Sequence, residues 1–204
     1  NANTDANGTN ASRLYVLMNV TATDTVSQVQ NITFRVYNST TLVNETSTTS
    51  IGSSNYLNAT VPRSGVYTFN VTTYDFSGNS NTTETRTITL DTTTPLTVSF
   101  ASPSINDGAN SSVSAVPINI TATDDLVLNQ VVIRLYNSSG SLVNSSTSSF
   151  LSGTSSSYFV NFTGHADGVY TFNATINDTA GNFNESSTST VTIDAVKPLI
   201  LFNA

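Results

Sequence analysis

Shifted by about 100 residues, this 204-residue chain meets itself in a fixed order of matches. Thr21-Ala22-Thr23-Asp24 returns as Thr121-Ala122-Thr123-Asp124, and Arg35-Val36-Tyr37-Asn38-Ser39 returns as Arg134-Leu135-Tyr136-Asn137-Ser138. Gly65 to Asn70 (GVYTFN) is repeated at Gly168 to Asn173, Asp75 to Asn79 at Asp178 to Asn182, and Asp91 with Pro95 at Asp194 with Pro198. A tandem duplication of this length requires two similar cores, and about 100 residues is an ordinary size for one domain.

Within each copy, apolar and polar residues alternate over short stretches. Examples are Met18, Val20, Ala22; Ile32, Phe34, Val36; Tyr67, Phe69, Val71; and Ile88, Leu90. A period of two places one set of side chains on a buried face and the other in water, which is the pattern of a strand. Clusters of Ser, Gly, Asn and Asp separate the runs, and no segment carries the 3.6-residue period of an amphipathic helix. The pattern predicts an all-β chain of two antiparallel sandwiches with about seven strands each. Residues 1–94 form the first domain, 95–197 the second, and 198–204 a further strand.

Ser64-Gly65-Val66-Tyr67-Thr68-Phe69 and Asp167-Gly168-Val169-Tyr170-Thr171-Phe172 resemble the tyrosine corner of immunoglobulin-like domains, where a Tyr near the start of strand F lies two residues before a Cys. Here Phe69 and Phe172 stand at the Cys positions, and the chain has no cysteine at all. An apolar contact replaces the inter-sheet disulfide. The segments that follow, from Asp75 to Asn79 and on to Leu90, Asp91 and Pro95, resemble the F–G hairpin and closing strand of Ig-like repeats in prokaryotic adhesins, S-layer proteins and pilus-like fibres. The resemblance implies two tandem Ig-like domains of a structural, non-catalytic, extracellular protein.

Composition bears on how such domains stay in water. Charged residues make up 9% of the chain, against roughly 25% in ordinary soluble proteins. Their place is taken by 35 Thr, 30 Ser and 25 Asn. Seventeen of the asparagines open an Asn-x-Ser/Thr triplet, about twice the number that 65 Ser and Thr in 204 residues would give by chance. They are Asn7, Asn10, Asn19, Asn31, Asn38, Asn44, Asn58, Asn70 and Asn81 in the first copy, and Asn110, Asn119, Asn137, Asn144, Asn161, Asn173, Asn177 and Asn184 in the second. Such triplets mark secreted surfaces that carry N-linked sugar. On a strand the Asn and the hydroxyl two residues later share a face. Asn31 and Thr33 around Ile32, Asn70 and Thr72 around Val71, and Asn119 and Thr121 around Ile120 are therefore expected to face solvent.

The second copy opens with Pro95-Leu96-Thr97-Val98-Ser99-Phe100, an alternating strand with no counterpart ahead of the first copy. A matching run, Leu199, Ile200, Leu201 and Phe202 after Pro198, follows the second copy. An unpaired apolar strand and a sandwich lacking an edge strand are both hazards, and one association removes both. The run of one unit adds to the first domain of the next by β-augmentation, a head-to-tail contact that propagates into an open filament. Equally, the run starts a third domain of a longer tandem chain. Either arrangement makes copies of the same module the partner.

Other chemistries find little support. The net charge is −7 and the six basic residues are scattered singly, which leaves no stripe for a phosphate backbone. No apolar run approaches the roughly 20 residues that span a bilayer. The single histidine, His165, lies in a loop before strand F without a recognisable nucleophile or oxyanion site. Asp91, Asp124, Asp125 and Asp178 are hard oxygen ligands near the expected domain linker, a set that suits Ca²⁺. The same aspartates also fit turn capping, as in Asp75-Phe76-Ser77-Gly78 and Asp178-Thr179-Ala180-Gly181. The expected whole is a glycosylated structural subunit of an extracellular filament or surface appendage, requiring no cofactor. The alternative is an adhesin or carbohydrate-binding stalk module of a larger surface protein.

Overall fold

The computed structural model describes residues 3–149 and 153–202. Every regular element among them is a β-strand, and the chain divides into two compact units, residues 1–93 and 94–204. Asn203 and Ala204, at the end of the expected extra strand, lie outside the described residues.

Unit 1 contains β1 (Thr9–Ala11), β2 (Tyr15–Val20), β3 (Val29–Asn38), β4 (Thr41–Thr48), β5 (Asn55–Thr60), β6 (Gly65–Asp75), β7 (Ser80–Thr82) and β8 (Arg86–Leu90). One sheet has the order β1-β8-β6-β3-β4, with β7 paired to β6; the other is β2-β5 alone. Alternation in β3 and β6 sends Ile32, Phe34, Val36, Tyr67, Phe69 and Val71 inward, where they meet Val16 and Met18 of β2 and Ala59 of β5. Two sheets thus close on one apolar core, as a sandwich requires.

Unit 2 repeats the plan with β9 (Thr97–Phe100), β10 (Ala109–Ser111), β11 (Ala115–Thr123), β12 (Leu128–Asn137), β13 (Leu142–Ser149), β14 (Ser155–Thr163), β15 (Gly168–Asp178), β16 (Phe183–Glu185) and β17 (Ser189–Ile193). The larger sheet runs β10-β17-β15-β12-β13, with β16 on β15, and the smaller runs β14-β11-β9. Unit 1 has eight strands and unit 2 nine, in keeping with the expected seven or so: the hairpins after β6 and β15 each carry a three-residue strand, and unit 2 adds β9. The pairings are antiparallel except for β1 with β8 and β10 with β17, which are parallel.

Both tyrosine corners form. Tyr67 donates its hydroxyl to the Arg63 carbonyl at 2.8 Å, and Tyr170 donates to the Ala166 carbonyl at 2.9 Å. Phe69 and Phe172 are buried where a disulfide would otherwise cross the core. In unit 2, Phe100 of β9 meets Phe172 edge to face at 4.9 Å between ring centroids, an arrangement that aromatic quadrupoles favour.

Candidate functional site

The two units differ most at one sheet edge. In unit 2, β9 runs along β11, pairing Phe100 with Ile120, Ser99 with Thr121, Val98 with Ala122 and Thr97 with Thr123. Beyond Phe100 the ladder continues through Ser104, whose hydroxyl donates to the Asn119 carbonyl at 2.8 Å, and through the Ile105 amide on the Pro117 carbonyl at 2.9 Å. Unit 1 reproduces only this second part. Thr4 donates its hydroxyl to the Asn19 carbonyl at 2.7 Å, and the Asp5 amide donates to the Leu17 carbonyl at 2.9 Å. Along Val20 to Thr23, among the described residues, no strand pairs with the edge.

Local structure follows from that difference. The counterpart of the nine-residue β11 stops after six residues, at Val20, and β5 is likewise six residues against nine in β14. Ala122 and Ile120 are buried in unit 2, whereas Ala22 and Val20 of unit 1 are half-exposed. A groove of about 290 Å³ opens beside them, floored by Ile32 and Val71, and a second of about 330 Å³ reaches Met18 and Phe69. Phe69 is the equivalent of Phe172, whose ring partner in unit 2 comes from β9.

The run expected to act as a donor strand is placed in no sheet. Leu199, Ile200, Leu201 and Phe202 are each at least three-quarters exposed.

None of the seventeen triplet asparagines is buried. The hydroxyl halves of the triplets are another matter. Thr33 and Thr72, expected to face solvent, are buried on the outer face of the larger sheet. Thr33 shares a hydrogen bond with the Ser47 hydroxyl, and Thr72 accepts from Arg35 Nη1 at 3.0 Å and bonds the Thr82 hydroxyl. The neighbours on β4 and β7 cover the middle strands, so pointing away from the core does not guarantee contact with water. Thr121 on the smaller sheet stays half-exposed.

The aspartates act first on their own turns. Asp75 Oδ1 accepts from the amides of Ser77 and Asn79, both at 2.8 Å, and Asn79 Nδ2 donates to Oδ2 at 2.7 Å. Gly78 follows at φ 86°, a conformation that only glycine adopts without strain. Asp178 holds Asn182 in the same way, through its amide at 2.9 Å and side chain at 2.7 Å. Asp91, at the end of β8, accepts from the Thr93 amide at 2.9 Å. Hydrogen bonds from the Asn79 side chain and nearby backbone hold the Asp75 carboxyl below its usual range; the Val26, Ser27 and Gln28 amides do the same for Asp24. Asp124 behaves oppositely. Its Oδ1 caps the Leu126 amide at 2.8 Å, its Oδ2 is buried without a hydrogen-bond partner, and burial with the neighbouring Asp125 and Asp178 charges raises its pKa. In unit 2 these donors fit turn capping, which engages both oxygens of Asp178 and one of Asp124.

His165 packs its ring 5.4 Å from that of Tyr170, and its carbonyl accepts from Ser114. The residue serves the loop before β15. No helix among the described residues is long and apolar enough to cross a membrane.

Comparison with known proteins bears out the fold. No curated protein sequence matches the chain. Among solved structures, the fibronectin(III)-like modules of Clostridium thermocellum CbhA superpose with a TM-score of 0.42 at 17% identity, over 92% of this chain and 88% of theirs. A tetra-tandem repeat from the extending region of a large adhesion protein gives 0.44 at 24% identity, over 89% of this chain and 46% of that one, so the chain spans about half its length. Domains with this architecture typically serve as non-catalytic structural modules, and they commonly occur in extracellular and surface proteins. Residues 4–92 and 96–195 each match the bacterial Ig-like domain, and the chain therefore belongs to that family as a tandem pair.

Proposed function

We propose that this protein is a structural subunit of an extracellular, glycosylated filament or surface appendage, in which residues Leu199 to Phe202 of one copy complete unit 1 of the next. One observation carries the reading: the position that β9 fills in unit 2 is, in unit 1, a groove floored by Ile32 and Val71 and rimmed by threonines, beside a strand edge that no strand pairs among the described residues. The Leu199 to Phe202 run follows Pro198 as Leu96 to Ser99 follow Pro95. It carries apolar side chains on both faces, so either register of insertion buries two of them. Pairing also satisfies the backbone groups of Val20 to Thr23, whose exposure otherwise invites aggregation.

Sugars on the outer faces complete the proposal. With 9% charged residues, the surface gains little solubility from charge, whereas glycans on accessible asparagines would hydrate it and separate neighbouring filaments.

Deleting residues 198–204 tests the assembly. Electron microscopy of the truncated protein should show single subunits where the intact protein shows filaments. Filaments that persist unchanged would sink the strand-insertion reading. Intact-mass measurement before and after deglycosylation tests the coat, and a mass equal to the bare 21.5 kDa chain would end it.

A further inference from the structure

Two exposed aromatic residues occupy the same place in the two units and have the same neighbours. In β5 the outward residues are Tyr56, Asn58 and Thr60, with Leu57 and Ala59 turned inward. In β14 they are Phe159, Asn161 and Thr163, with Val160 and Phe162 inward. Asn58 and Asn161 each open a glycosylation triplet that ends in the outward threonine. Across the ladder, Tyr56 faces Asn19 and Phe159 faces Asn119, which open triplets of their own. Each ring thus stands between two acceptor asparagines, about 6.7 Å along its own strand from one and about 5 Å across the sheet from the other.

Tyr56 and Phe159 are 48% and 49% exposed. An aromatic ring on a polar surface leaves a large apolar face in water, and both units carry one at this position. The Tyr56 hydroxyl donates to Asn58 Oδ1, which lays the ring along that side chain. The cross-strand asparagines are engaged elsewhere: Asn19 Oδ1 accepts from Ser54, and Asn119 Nδ2 donates to the Ser102 carbonyl at 2.8 Å. A pyranose linked to Asn58 or Asn161 presents a face of C–H groups on the scale of such a ring.

We propose that Tyr56 and Phe159 are stacking platforms for the first sugar on Asn58 and Asn161, so that these two glycans lie ordered on the smaller sheet of each unit and stabilise it. The inference rests on the glycosylation reading above and gives these two sites a role beyond hydration. The sugar covers an apolar surface that the protein leaves bare, and the sheet holds the sugar in one orientation.

The test uses the native glycosylated protein with variants Tyr56→Ala and Phe159→Ala, each made alone and combined with Asn58→Gln or Asn161→Gln. Glycopeptide mass spectrometry first reads occupancy at Asn58 and Asn161 in every variant. With the sites occupied, removing a ring should lower the melting temperature of its unit by about 4 °C or more, while the same change in the Asn→Gln background should shift it by no more than about 1 °C. Hydrogen exchange should show the loss in β5 or β14 respectively. Equal losses in both backgrounds would overturn the platforms and leave glycosylation standing. Coupling that follows Asn19→Gln or Asn119→Gln would overturn the assignment to the same-strand sugar. Bare Asn58 and Asn161 in native material would remove the platforms and the glycosylation reading at these sites together.

Discussion

Replacing Tyr67 or Tyr170 by Phe removes one oxygen and leaves the ring in place. Tyr67 is 1% exposed and Tyr170 8%, so neither phenol oxygen has ready access to bulk water. Each gives up a hydrogen bond of 2.8 or 2.9 Å to a carbonyl four residues upstream. A neutral hydrogen bond contributes about 0.5–1.5 kcal/mol net, and a buried partner left unsatisfied costs about 1–3 kcal/mol. Arg63 and Ala166, which supply the carbonyls, are exposed residues, so water replaces the lost donor and the lower range applies. We expect about 1 kcal/mol for each substitution, or roughly 4–8 °C in a domain of this size. Thermal unfolding combined with hydrogen exchange over β6 and β15 reads the two units separately. A loss of 3 kcal/mol or more would mean that the carbonyls stay dry. A change below about 0.3 kcal/mol would mean that the corners contribute only their rings.

Three further expectations concern the aspartates. Asp24 and Asp75 have folded-state pKa values below their unfolded ones, so their stabilisation is present above the unfolded value and lost as pH falls through the folded one. An acid titration of the melting temperature should lose less below about pH 4 in Asp75→Asn than in the parent, and equal slopes would contradict the turn assignment. Asp124 has the opposite sign: its folded pKa is raised, so its ionisation weakens the fold as pH rises through that value. Asp124→Asn keeps an oxygen for the Leu126 amide and should therefore be more stable than the parent at pH 7 and equal to it near pH 3. Asp75 and Asp178 engage both oxygens in their own turns, so millimolar Ca²⁺ or chelator should leave the melting temperature unchanged; a rise with Ca²⁺ would mean that the aspartates, with the unpartnered Oδ2 of Asp124 among them, hold an ion instead.

Much of this molecule is legible in its sequence, for identifiable reasons. Ile32, Phe34 and Val36 alternate cleanly because β3 is central in its sheet and one face of it is wholly apolar. The tyrosine corners are legible because the glycine, the tyrosine and the following phenylalanine each have a fixed task in the same turn. The burial of Thr33 and Thr72 is not, since it depends on which strands flank β3 and β6 and on hydroxyls meeting Ser47, Thr82 and Arg35 across the outer face. Nor does periodicity reveal β13, whose inward positions include Ser146 and Ser148. Ser146 meets the Tyr158 hydroxyl at 2.6 Å, so that part of the strand is held by a polar contact rather than an apolar one. The aromatic pair Tyr56 and Phe159 is legible in part: the alternation Tyr56-Leu57-Asn58-Ala59-Thr60 places ring, acceptor and hydroxyl on one side, whereas the exposure of that side depends on what packs over the sheet.

The parallel pairing of β1 with β8, and of β10 with β17, decides how each unit responds to tension. In unit 2 a pull reaches β10 by way of β9 and its antiparallel ladder with β11. A pull on the start of β1 or β10 and on the end of β8 or β17 slides the pair lengthwise. All the hydrogen bonds between them resist at once, whereas an antiparallel pair would open one bond at a time like a zip. Each sandwich is therefore clasped where a stretched thread would carry its load.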